Sequence, residues 1–559
     1  MKCHAFIILL ICSLTTVDVC AQADSVTLKN DLVSRTFCFN KKLPGFYTAG
    51  YKNLVTKAEY SKPGTEEFAI TVNGTPLTGR NCTYNSHSFI RSGDESMLTV
   101  ICSTPVTGIR IVLRYILYDG IPLIRKRLQV VNDGSSDATL FNLDVERLQF
   151  NVVDTYMNEV YANYGTHLTR VPYRGDYNDA AVLLFNLNAK QGVILGNEAP
   201  SILKRTEIYS RPNQVNIGMG MIDEPFPFKK LLAHGETFTS PQTFMYFSSS
   251  DKWQYAFEGK FQDFIREKLT VKLFQQKDPP FFIYNTWQPF FDHINEKLIR
   301  DCADSLAHTG CDLFIIDAGW YKRAGDFNAD PEKFPNGMKP VCQYINSKGM
   351  RSGLWFTIGS VHNKSKIALE HPEWLIKDKN GRPENLHNGD MQEDGNEWQS
   401  AIRTMSLASG YYDHIHNVIR GYVKDWGISY LKLDLSIANS AYLHDYTRTG
   451  DYDSSGGKLY HDRASSYWML YERVLNLMDT LKAEFPGLLL DCTFEVWGRY
   501  NAVDYALIEH ADYDWLTNFD FAPPAGPISI RQMNYDRSRV IPASTLLIGN
   551  QFMNFPNYR

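Results

Sequence analysis

The chain has 559 residues, 44% of them hydrophobic and 21% charged, with a formal net charge of −5. That balance excludes an intrinsically disordered protein, and the lack of a basic block argues against a nucleic-acid partner. The length is too great for one small core, so more than one domain is expected.

The first 23 residues have the form of an export signal. Lys2 and His4 give a short polar start, Ala5 to Leu14 is an apolar run too short to span a bilayer, and Ala21-Gln22-Ala23 offers a small-x-small cleavage site. The expectation is an exported soluble protein, periplasmic or secreted. No later stretch is long and apolar enough for a transmembrane helix. Of the ten cysteines, Cys3, Cys12 and Cys20 fall in this leader. The other seven are scattered without a Cys-x-x-Cys pair or a histidine partner at metal spacing, which predicts buried free thiols. Asn73, Asn81 and Asn363 begin Asn-x-Ser/Thr sequons.

Residues 24–275 read as β. Segments such as "MLTVICSTP", "GIRIVLRYILY" and "LIRKRLQVVND" cluster or alternate β-branched and aromatic residues between Gly, Asn, Asp and Pro. A large β-sandwich domain is expected there. The Pro279-Pro280 pair marks a change of pattern. From 276 to 559, short apolar runs alternate with helical ones. The predicted strands are 281–285, 311–317, 351–357, 428–434, 488–494, 513–519 and 544–550. Amphipathic helices fit "NEKLIRDCADSLAHTG", "YYDHIHNVIRGYVKDWG" and "SYWMLYERVLNLMDTLKAEF". Strand, helix, strand, repeated, gives parallel strands with crossover helices. The fold class is therefore all-β followed by α/β: an N-terminal sandwich, then a (β/α)8-type TIM barrel. Seven strands are legible and the eighth is not accounted for. A doubly wound sheet is the alternative, but no Gly-x-Gly-x-x-Gly follows any strand.

In such a barrel, polar residues at the C-terminal ends of strands carry chemistry. Those ends supply Asn285 and Trp287, Asp317, Trp355, Lys432 and Asp434, Cys492 and Glu495, then Asn518 and Asp520. Lys432 and Asp434 are two residues apart in "ISYLKLDLS", so both project from one face of a strand. A cation beside Asp434 keeps that carboxylate ionised, as a nucleophile requires. Two carboxylates flanking an aromatic-walled pocket suit glycoside hydrolysis; a plain ion pair at the sheet's edge gives the same spacing. No Ser-His-Asp set and no metal cluster is evident.

The segments "FFIYNTWQPFFDHINEKLI", "LFIIDAGWYKRAGDFNADPEKFPNGMKP", "KGMRSGLWFTIGSVHNKSKIALEHPEW" and "WGISYLKLDLS" resemble the α-galactosidases and raffinose synthases of glycoside hydrolase family 36. Asn-x-Trp, Asp-x-Gly-Trp, Lys-Phe-Pro-Asn-Gly, Gly-Leu-Trp-Phe and Lys-x-Asp occur in the family's order over roughly 160 residues. The resemblance implies a retaining α-glycosidase with a β-sandwich before its barrel. It implies Asp434 as nucleophile, Asp317 and Lys432 as sugar ligands, and Trp287 and Trp355 as pocket walls. Cys492 and Arg499 match a substrate-binding segment. The second carboxylate falls in "WLTNFDFAPP", where Asp520 is the acid/base candidate; Asn518 could hold that position instead, and Asp512 and Asp514 are alternatives.

The departures bear on the substrate. Ala318 replaces a second Asp and Leu433 a Trp, and Thr357-Ile358-Gly359 replaces Glu-Pro-Glu. Glu495 and Trp497 bring bulk where the family has glycines, although Glu495 could also be a rim partner of Arg499. Terminal α-linked galactose or a modified galactose, in an oligosaccharide or glycan, is the expected substrate. Transglycosylation and a binding-only relic are the alternatives. No cofactor and no metal is implied, because a two-carboxylate mechanism needs none.

Overall fold

The computed structural model describes residues 24–40, 43–62, 65–151, 158–164, 167–172, 175–209, 213–221, 226–384, 401–434, 450–492, 504–517 and 525–548. The strands from Asp24–Lys29 to Thr243–Ser248 all pair antiparallel, in sheets of three, seven and ten strands. The two large sheets share one core. Phe68, Ile70 and Val72 from one and Leu98, Val100, Ile111 and Leu113 from the other belong to the same buried cluster. They alternate with partly exposed residues along several of these strands, as the pleat requires.

Polar residues lie inside this core as well. Arg35 of the three-stranded sheet meets Glu67 at 2.5 Å and Glu146 at 2.6 Å, both from the seven-stranded sheet. Lys126 of the ten-stranded sheet lies 3.1 Å from each carboxylate. All four are buried, and two cations balance two anions. Burial alone would raise the pKa of Glu67, but Arg35 and Lys126 outweigh it and bring it down to about 2.

One stretch expected to be β is helical. Lys260–Glu267 buries Phe261, Phe264 and Ile265. Apolar residues at i, i+3 and i+4 are a helical signal, in a run too short to stand out from its β surroundings.

The parallel strands follow: β1 (Ile283–Asn285), β2 (Leu313–Ile316), β3 (Arg351–Thr357), β4 (Tyr430–Asp434), β5 (Leu489–Cys492), β6 (Tyr513–Thr517) and β7 (Leu546–Ile548). Each of the seven lies within a stretch predicted as strand. Helices α1 (Glu296–Leu306), α2 (Lys339–Ser347), α3 (Tyr411–Trp426), α4 (Arg463–Glu484), α5 (Tyr505–His510) and α6 (Ala525–Arg537) separate them. Helices α1 and α3 lie in the predicted helical runs, and α4 begins three residues before its run. Asn295 and Asp462 cap α1 and α4 through their side chains. The strands pair in chain order, β1 to β7. Among the described residues β1 and β7 do not pair, so a seven-stranded parallel sheet is shown rather than a closed eight-stranded barrel.

The antiparallel region braces this sheet. Strand Leu123–Asn132 turns Lys126 into the sandwich and its neighbour Arg125 the other way. Arg125 meets Glu198 at 2.6 Å and Glu509 of α5 at 2.7 Å. Lys204 meets Asp504, the N-cap of α5, at 2.8 Å. A second apolar cluster joins Leu123, Phe244 and Phe261 to Leu313, Tyr430, Leu489 and Tyr513 of the sheet. Of the described cysteines, Cys82, Cys102, Cys302, Cys311 and Cys342 are free thiols.

Candidate active site

The site grows from strand register. Trp355 of β3 lies opposite Lys432 of β4, and Thr357 opposite Asp434. Side chains two apart share a face, so Lys432 and Asp434 project together. Their charged atoms are 3.9 Å apart. Lys432 approaches Asp317, one residue past β2, more closely, at 3.0 Å. Its ammonium also lies 4.1 Å from the centroid of the Trp515 ring on β6. Burial alone would lower the Lys432 pKa; Asp317, Asp434 and Asp491 outweigh it and raise it, so the ammonium stays charged.

Asp317 is held from every side. The Asn285 amide donates to its Oδ2 at 2.7 Å, and the Ala318 N–H to its Oδ1 at 2.8 Å. Its own N–H donates to the Thr286 hydroxyl at 2.9 Å. Asp434 differs: the Trp355 indole donates to it at 2.8 Å, and its side chain keeps 18% of its surface exposed while those of Asp317 and Lys432 keep 1% and 5%. Asp434 is therefore the carboxylate of this trio presented to an incoming ligand.

The aromatic motif residues divide by role. Trp320 of Asp-x-Gly-Trp is wholly buried and donates through its indole to the Trp355 carbonyl at 2.9 Å. It holds the β3 backbone that carries Trp355. Gly319 before it has φ 105°, and a Cβ there would sit 2.7 Å from the Asp292 carbonyl oxygen. Only glycine fits that turn. Tyr321 stacks on Trp355 at 5.7 Å, with the rings 11° from parallel. Trp287 opens a short helix after β1; its N–H donates to Asn285 Oδ1 at 2.7 Å, which links it to Asp317 through one amide.

Other predicted residues lie elsewhere. Cys492 is buried and pairs in register with Leu433 rather than Lys432. Leu433, where the family has Trp, stands opposite Phe356 and Cys492 on the other face of β4. That exchange does not alter the face of Lys432 and Asp434. Asp512 receives the Lys482 ammonium of α4 at 2.8 Å, and Asp514 is buried, where burial raises its pKa against the pull of Arg537. Asp520, Arg499, Glu495, Trp497 and Asn518 lie outside the described residues. Among the described residues no His/Cys/Asp/Glu group has the form of a metal site.

Sequence reasoning passed over Asp491, Tyr430 and Trp515. Asp491 of β5 is the register partner of Lys432 and is fully buried. The signal was available: an acid inside the apolar run "LLLDC" resembles the lysine inside "ISYLKLD".

With this geometry in place, the profile of the melibiase family matches residues 237–558, more than half of the chain. The chain belongs to the melibiase family. Among curated relatives it is 22% identical over 515 residues to the α-galactosidase AgaA of Geobacillus stearothermophilus, covering 86% of this chain and 64% of that one. It is likewise 22% identical over 444 residues to α-galactosidase 1 of Pediococcus pentosaceus, covering 74% and 56%. This melibiase-family chain thus spans about three-fifths of the length of such relatives. Among solved structures, the α-galactosidase of Lactobacillus brevis superposes with a TM-score of 0.73 at 16% identity, covering 97% of this chain and 78% of that one. A G. stearothermophilus family 36 α-galactosidase in complex with raffinose gives 0.72 at 16% identity, covering 94% and 78%. At such identity these likenesses establish the fold.

Proposed function

We propose that the protein is a retaining α-galactosidase that removes terminal α-linked galactose, or a modified galactose, from oligosaccharides or glycans. The observation that carries this reading is the setting of Asp434: the one part-exposed carboxylate of the cluster, held by the Trp355 indole and backed by the Lys432 ammonium. Attack of Asp434 on the anomeric carbon forms a covalent glycosyl-enzyme and expels the aglycone, which takes a proton from the acid/base. That group then removes a proton from water, and water displaces Asp434. Asp520 is proposed for this second role. Asp317 and Lys432 are proposed to grip sugar hydroxyls, a task suited to groups fixed by several hydrogen bonds before the ligand arrives. Trp287 and Arg499 are proposed to line the same pocket; Cys492, expected there from the sequence, is buried on the other face of the sheet. We further propose that the parallel sheet belongs to a (β/α)8 barrel and that residues 1–23 direct export. No described helix is long and apolar enough to cross a membrane.

The test is hydrolysis of aryl α-galactoside, α-N-acetylgalactosaminide, α-glucoside and β-L-arabinoside by the folded protein. Turnover of the first or second is expected, and silence across the panel would refute the reading. Trp355→Phe removes a neutral donor to a carboxylate while keeping an aromatic wall. A hydrogen bond to a charged group contributes about 1.5–3 kcal/mol, so kcat should fall roughly 10- to 150-fold. A fall of less than twofold would show that the indole does not hold the reacting carboxylate.

A further inference from the structure

Beneath the three residues at the strand ends lies a third carboxylate that the mechanism above does not use. Asp491 is fully buried on β5, beside Lys432 in register. The Tyr430 hydroxyl donates to its Oδ2 at 2.8 Å. Its Oδ1 is also buried and receives no hydrogen bond from a described residue. Among the described residues, the charged and titratable groups that bear on it are Lys432, Tyr430 and Asp434 of β4, Asp317 beyond β2, and Tyr513 and Asp514 of β6. Lys432 is the cation in that described set.

The support available to Asp491 is the argument. Its described partners are one neutral hydroxyl, from Tyr430, and the Lys432 ammonium on the neighbouring strand, which Asp317 already holds at 3.0 Å. An ionised carboxylate with an unpaired oxygen is costly to bury, and a neutral one far less so. Asp317 holds several donors and the ammonium itself; Asp434 holds an indole and some solvent. Asp491 is the member with the poorest support for a charge. We propose that Asp491 is a proton-holding positioning residue of this site. Carrying its proton, it leaves the Lys432 ammonium to Asp317 and Asp434; once the proton passes to solvent, the new anion draws the ammonium toward β5 and turnover fails. Burial first, then the neighbouring acids Asp434 and Asp317, push its pKa up to about 7 against the pull of Lys432, so the change falls near neutral pH. The catalytic half of this inference rests on the galactosidase reading; the proton itself does not.

The experiment pairs two measurements on the wild type and Asp491→Asn, a near-isosteric neutral substitute. The first is the thermal unfolding midpoint from pH 5 to pH 8. A group whose pKa is raised by folding lends stability below its ordinary pKa and loses it as pH rises through the folded value. The wild-type midpoint should therefore fall relative to that of Asp491→Asn across this range. Parallel curves would overturn the proposal. The second is the pH profile of kcat/KM on an aryl α-galactoside, each protein scaled to its own value at pH 5.5. Above about pH 7 the wild type should lose roughly tenfold more per pH unit than Asp491→Asn, which keeps only the limb set by the acid/base. Superimposable alkaline limbs for the two proteins would overturn the coupling to turnover. A wild type inactive at every pH would instead refute the galactosidase reading, with the midpoints still deciding whether Asp491 holds the proton.

Discussion

Replacing Asp434 by glycine should lower kcat on an aryl α-galactoside by roughly 10³- to 10⁵-fold, because the covalent route is lost while the pocket remains. Such a fall corresponds to about 4–7 kcal/mol of transition-state stabilisation. The substitution also leaves space beside the anomeric carbon. Azide should enter it from the face that Asp434 occupied and displace the aryloxide directly. The product would be the β-galactosyl azide, with the configuration inverted. Recovery of activity with azide, and that product by NMR, identify the nucleophile and its face together. A variant that keeps more than a tenth of wild-type activity would remove Asp434 from the role. The structure supports the prediction through exposure and partners: Asp317, the other carboxylate on Lys432, is almost wholly buried and saturated with hydrogen bonds, and has no comparable path to a ligand.

Arg35→Met should cost the most stability of any substitution outside the site. It leaves Glu67 and Glu146 buried with Lys126 as their remaining cation, an uncompensated anion in an apolar core. Breaking a buried ion pair in this way costs about 3–5 kcal/mol. At roughly 2–4 °C per kcal/mol for a domain of 150–250 residues, the thermal midpoint of the β-region should drop by about 10 °C. Adding Glu146→Gln should recover part of the loss, since the charge count balances again. A midpoint within about 2 °C of wild type for Arg35→Met would show that the cluster does not hold the three sheets together. The same logic makes Glu67 a sensor of acid. Its pKa is lowered, so its contribution is present above the ordinary carboxylate range and is lost as pH falls toward about 2.

Much of this protein was legible in the sequence because its signals are local. Apolar runs of four to seven residues between helical stretches gave the seven parallel strands to within a few residues. The period of two along "ISYLKLDLS" put Lys432 and Asp434 on one face, and their charged atoms lie 3.9 Å apart there. Spaced motifs led to the family. What the sequence left open are relations between segments far apart in the chain. Trp320 read only as the last residue of the Asp-x-Gly-Trp motif, but it is a buried brace for the backbone of Trp355, 35 residues on. Asp491 passed unremarked inside a predicted strand. Only the pairing of β4 with β5 sets it beside Lys432, 59 residues earlier, and makes its proton matter. Arg35 and Glu146, 111 residues apart, gave no sign of each other. The physical reason is common to all three. Alternation and propensity act over a few neighbouring residues, whereas strand register and the sharing of one cation among several acids are decided when distant strands are brought together in a low-dielectric interior.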